Sequence, residues 1–78
     1  MHVILYSKAG CHLCDEAREH LEDLATEHVF ELDEVDIRRD DQLFERYRYR
    51  IPVITVDGAE RLEGRITADD VRSLLTLG

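Results

Sequence analysis

The chain has 78 residues, 44% of them hydrophobic, with one proline, two cysteines and a formal net charge of −8. That is enough for one domain, residues 1–78, near the lower limit for a self-supporting core, and nothing reads as disordered or repetitive. The acid excess argues against a nucleic-acid surface, and no apolar stretch approaches a membrane span or a signal-peptide core.

His2 to Tyr6 read as a short buried strand, followed by a tight turn over Ser7-Lys8-Ala9-Gly10. From Cys11 onward the apolar spacing is helical. Leu13, Ala17, Leu21, Leu24 and His28 share one stripe with Cys14 beside it, and Asp15, Glu16, Arg18, Glu19, Glu22 and Asp23 take the solvent side. Leu32 to Ile37 are expected to form a second strand, with Phe30 in the connection. Asp40 or Asp41 caps a short helix that buries Leu43, Phe44 and Tyr47. Ile51 to Val56 is a β-branched run suited to a central strand, with Pro52 at its start, where a missing donor is tolerated. Asp57-Gly58 signals a hairpin that returns through Ala59 to Glu63 as an edge strand. A last helix starts at Thr67, with Ile66 and Val71 at staple positions, Asp69 and Asp70 in its first turn, and Val71, Leu74 and Leu75 facing inward. The expected order is βαβαββα, an α/β fold. Its first two strands are parallel across a right-handed crossover, its last two form an antiparallel hairpin, and the mixed four-stranded sheet is flanked by helices.

The chemistry sits at the seam between the first strand and the first helix. Cys11-His12-Leu13-Cys14 places Cys11 at a helix N-terminus, where unsatisfied N–H groups and the macrodipole favour an anion. The thiolate is the reactive form of cysteine. Cys14, one turn along, is close enough to attack a mixed disulfide and release the product. A Cys11–Cys14 bond closes so small a loop that it adds little stability, which leaves the pair free to open and close. Both cysteines are spent on this motif, which fits a reducing cytoplasm. The competing reading is a binding module whose cysteines hold a metal. A structural zinc needs four ligands, and only His2, His12, His20 and His28 could complete the set, none at paired spacing. We therefore expect no metal site. His12 is either an exposed residue without a role or a cation beside the thiolate. His20 and His28 read as surface or packing residues. Arg38, Arg39, Arg46, Arg48 and Arg50 form a basic island, either a solvated, ion-paired face or a docking patch for an anion or partner. Tyr47 and Tyr49, between the arginines, read as core and rim.

The βαβαββα order, the Cys-x-x-Cys at the start of the first helix, Ile51-Pro52 opening the third strand and Tyr6 through Cys14 together resemble the thioredoxin superfamily, and within it the short bacterial glutaredoxin-like branch. The resemblance covers essentially the whole chain. It implies a thiol–disulfide oxidoreductase in which Cys11 is the nucleophile and Cys14 the resolving thiol. It also implies that Pro52 is cis and lies against the disulfide, where the Ile51 backbone pairs with bound substrate. Lys8 matches the lysine that holds the glycine carboxylate of glutathione, so glutathione is the implied co-substrate. Three departures remove contacts to it. His12-Leu13 replaces Pro-Tyr, Arg50-Ile51 replaces Thr-Val, and only Glu63-Gly64-Arg65-Ile66 stands where a Gly-Gly pair cradles the γ-glutamyl end. The expected substrate is accordingly a disulfide-containing protein, docked over His12, Leu13, Ile51, Pro52 and Gly64. A reductase or glutathione supplies electrons, and the protein acts as a monomer. The alternative within the same fold is a module holding a metal or an iron–sulfur cluster between subunits.

Overall fold

The structure, a computed structural model, describes residues 1–75. Strands β1 (His2–Ser7), β2 (Glu31–Asp36), β3 (Val53–Val56) and β4 (Ala59–Glu63) form one sheet in the order β2-β1-β3-β4. β1 and β2 are parallel, while β1–β3 and β3–β4 are antiparallel. Helix α1 (His12–Glu27) links β1 to β2, α2 (Asp41–Tyr47) links β2 to β3, and α3 (Ala68–Ser73) follows β4.

Strand alternation divides the core between the two faces. Val3 and Leu5 of β1 and Ile54 and Val56 of β3 meet Ala17, Leu21 and Leu24 of α1, Val71 of α3 and Leu74 beyond it. On the other face Val53 packs with Ile37 and Tyr47, flanked by Tyr6, Leu43 and Phe44. Both outer strands carry mostly exposed charged residues: Glu31, Asp33 and Glu34 on β2, and Glu60, Arg61 and Glu63 on β4.

Local signals fix the ends of these elements. The Asp40 carboxylate accepts the Gln42 and Leu43 N–H groups, so Asp40, of the two candidates, caps α2. The Thr67 hydroxyl and the Asp70 carboxylate exchange bonds with each other's backbone N–H at the head of α3, and the staple residues Ile66 and Val71 are both buried. Asp57 (φ 50°) and Gly58 (φ 88°) both adopt positive φ in the hairpin.

Four boundaries differ from expectation. β1 runs on to Ser7, which pairs with Asp36 and donates its hydroxyl to Glu34 at 2.6 Å. β2 runs over Glu31–Asp36 rather than Leu32 to Ile37. The Asp36 side chain accepts the Arg38 N–H and starts a 3-10 turn, Ile37–Arg39, that carries buried Ile37 to the α2 face. His28 is exposed at the end of α1 and leaves the apolar stripe, because its backbone is already extended (φ −135°). β3 begins at Val53: Pro52 has no N–H, and Ile51 donates its own to the Tyr47 carbonyl at 3.1 Å.

Candidate redox site

Cys11 is the N-cap of α1, with extended backbone (φ −95°, ψ 107°), and Gly10 before it takes φ 78°, a conformation that favours glycine. The Cys11 carbonyl accepts the Asp15 N–H at 3.1 Å, and its sulfur accepts the Cys14 N–H at 3.2 Å. A sulfur standing in for the usual capping oxygen is thereby aimed at N–H groups that have no partner within the helix. Cys11 and Cys14 are joined as a disulfide, with Cα atoms 5.2 Å apart. Cys14 is fully buried, whereas Cys11 is partly exposed. Of the two residues, Cys11 is therefore the more accessible.

Sheet register gathers the other candidate residues at the same end. Tyr6 lies opposite Val53 and Val53 opposite Glu63, so the loop carrying Lys8 and Cys11, the Ile51–Pro52 dipeptide and Gly64 all leave the sheet together. The Ile51–Pro52 peptide bond is cis. Gly64, with φ 75°, turns the chain out of β4 so that its N–H donates to the Pro52 carbonyl at 2.9 Å. Leu13 is partly buried in the first turn of α1. His12 is exposed, and its Nε2 lies 3.1 Å from Glu16 one turn along, so its ring is directed along the helix. Lys8 is exposed and lines a cleft of about 380 Å³ with Ser7, Ala9, Arg18, Glu34, Asp36 and Arg39.

Two polar clusters buttress this end. The Arg18 Nε and Nη2 donate to Glu34 at 2.6 and 2.7 Å, and Nη1 donates to Asp15 at 2.9 Å. The Arg18 bonds hold the Glu34 carboxyl below the usual glutamate range; burial opposes them and the Ser7 hydroxyl helps. The second cluster joins Arg50 to Glu60 and Glu63. Arg50 holds the Glu60 carboxyl low, while burial pushes the Tyr47 hydroxyl up. Sequence reasoning missed both clusters, since the arginine–glutamate partners at their centres, Arg18–Glu34, Arg50–Glu60 and Arg50–Glu63, lie between 10 and 16 residues apart and meet only in the folded chain.

The basic island resolves largely into ion pairs: Arg38 with Asp36, Arg48 with Glu45, and Arg50 with its two glutamates. Tyr47 is core, and Tyr49 is 86% exposed. Among the described residues no three His, Cys, Asp or Glu side chains converge as a metal-ligand set. No described helix is long and apolar enough to cross a membrane.

Residues 2–76 match the glutaredoxin-like domain (DUF836). The chain belongs to the glutaredoxin-like family. Among solved structures, the glutaredoxin-like fold here is similar to the crystal structure of protein XcR50 from X. campestris (30% identity, TM-score 0.81, 97% of each chain covered). It is also similar to protein Ne2328 from Nitrosomonas europaea (28% identity, TM-score 0.76, covering 94% of this chain and 88% of that one). E. coli glutaredoxin shares the fold at 20% identity and TM-score 0.65, over 99% of this chain and 95% of that one. The glutaredoxin-like fold and its close Cys11–Cys14 pair fit a redox role.

Proposed function

We propose that this glutaredoxin-like protein is a thiol–disulfide oxidoreductase acting as a small dithiol carrier in a reducing cytoplasm. The observation that carries this reading is the Cys11 sulfur capping a 16-residue helix and accepting the Cys14 N–H at 3.2 Å, with Cys14 buried behind it. In the reduced protein the same N–H and the helix dipole favour the Cys11 thiolate.

The Cys11 thiolate attacks one sulfur of a substrate disulfide. An S–S bond forms to Cys11 and the substrate's bond breaks, releasing one substrate thiolate, which takes a proton from solvent. Cys14 then loses its proton and attacks the Cys11 sulfur. This forms the intramolecular disulfide and releases the second substrate thiol, so two electrons have passed to the substrate. A thiol reductant, either glutathione or a reductase dithiol, returns two electrons and restores the pair.

The substrate is a disulfide-bearing protein, docked over Leu13, the Ile51–Pro52 segment and Gly64, and glutathione binds weakly. Lys8 offers a glutathione carboxylate one screened surface charge, and His12 is occupied with Glu16. Cys14→Ser is expected to accumulate mixed disulfides on Cys11, and Cys11→Ser to abolish disulfide reduction. A mixed disulfide mapped to Cys14 in the wild-type protein would refute the assignment. Micromolar glutathione affinity by calorimetry, with rapid deglutathionylation, would refute the protein-substrate reading.

A further inference from the structure

Arg50 immediately precedes the Ile51–Pro52 dipeptide, yet its side chain is turned back onto the sheet. Its Nη2 lies 2.9 Å and its Nε 3.3 Å from Glu63 Oε1, and Nη2 also donates to Glu60. The guanidinium sits over the Tyr47 ring, 5.3 Å from its centroid, and the Tyr47 hydroxyl donates to Glu60 at 3.2 Å. Tyr47 in turn packs on Tyr6 of β1, with ring centroids 4.7 Å apart. The backbone adds three bonds: the Arg50 and Ile51 N–H groups both donate to the Tyr47 carbonyl, at 2.8 and 3.1 Å, and the Pro52 carbonyl accepts from Gly64. Residues 50–52 are thus tied to α2 and β4, and through Tyr47 to β1.

This arrangement decides what the segment offers an incoming chain. The Ile51 N–H is spent on Tyr47, which leaves the carbonyl and the partly exposed side chain of Ile51 as the docking groups. We propose that Arg50 is a positioning residue for substrate docking: its fork to Glu60 and Glu63 fixes residues 50–52 so that the Ile51 backbone meets an extended segment beside the substrate disulfide. The proposal rests on the thiol–disulfide reading above and deepens it, because it makes extended protein segments, rather than small disulfides, the preferred substrate class. Arg50 acts on docking and not on the attacking sulfur. Arginine suits the task because its planar fork reaches two carboxylates at once, whereas lysine is a single point charge.

The test compares two substrates of the full chain: bis(2-hydroxyethyl) disulfide, and a disulfide-bridged peptide with several residues on each side of its cysteine. Arg50→Ala is expected to lower the ratio of kcat/KM for the peptide to that for the small disulfide by about threefold, chiefly through KM, the scale set by a solvent-exposed charge pair that no longer holds a docking group. Arg50→Lys should recover part of the ratio, and Glu63→Gln should reproduce part of the loss. If Arg50→Ala does not fold, the isosteric Glu63→Gln variant carries the same comparison. Equal losses on both substrates, or a fall in kcat alone, would overturn the proposal and leave Arg50 a structural residue. Wild-type protein that reduces neither disulfide would instead overturn the thiol–disulfide reading.

Discussion

At the scale of single residues, the capping position of Cys11 carries the most chemistry. A helix N-terminus contributes about 0.3–1 kcal/mol toward an anion, and a charge-assisted N–H bond strengthens the preference. The exposed Lys8 nearby acts in the same direction, while Asp15 and Glu16 in the first turns of α1 oppose it. The net effect is modest. After reduction, the alkylation rate of Cys11 should reach half its plateau below pH ~8.5, the ordinary cysteine midpoint. Iodoacetamide kinetics on the Cys14→Ser variant measure this directly. A half-plateau above that pH would show that the cap does not activate the sulfur. The motif and the Asp-Gly turn were legible because each is a contiguous signal with a local cause. His28 and Ile37 were misread for the same reason. Periodicity carried the α1 stripe one residue past the helix end, and it kept Ile37 in a strand that Asp36 had already ended by capping the next turn.

At the scale of elements, the Arg18–Glu34–Ser7 cluster fastens the first half of α1 to β1 and β2. Sequence alone gave no sign of it, since the 16-residue separation between Arg18 and Glu34 becomes a contact only once β1 and β2 lie parallel. Its pH dependence has a definite sign. Glu34 has a lower value in the folded protein than its ordinary 4.5, so its pairing adds stability that is fully present above that value and is lost as the pH falls through the folded one. Glu34→Gln should therefore lower the urea midpoint at pH 7 and narrow its difference from wild type under acid conditions. Because both side chains remain about one-third exposed, solvent screening keeps the effect small. A difference that stays constant between pH 7 and pH 3 would place the cost of the substitution in packing instead. The helix caps were easier to read. Asp40 and Thr67 each stand next to the N–H groups they bind, and the Ile66–Val71 staple follows from spacing alone.

At the scale of the whole molecule, the sheet order β2-β1-β3-β4 follows from placing the most apolar strands at the centre. β3 is buried throughout, and β2 and β4 are left to solvent. Parallel pairing across α1 and the antiparallel hairpin were legible in the segment order. The end of the sheet at which the loops gather was not, because it depends on the register of Tyr6 with Val53 and of Val53 with Glu63.

The charged outer strand β2 also bears on how copies of the protein meet. An open strand is a template for another, and two copies pairing along β2 would bring Glu31 and Asp33 close to the same acidic strand of the second sheet. With a net charge of −8, this mutual repulsion is expected to act as a guard against such pairing. The guard is made of carboxylates, so acid should disarm it while the backbone template persists. Light scattering is expected to show dispersed protein at neutral pH and growing particles as the carboxylates take up protons. Glu31→Gln, which removes one exposed charge from the strand, should move that onset to higher pH. An onset indifferent to this substitution would mean that assembly begins elsewhere, with unfolding rather than at the strand edge.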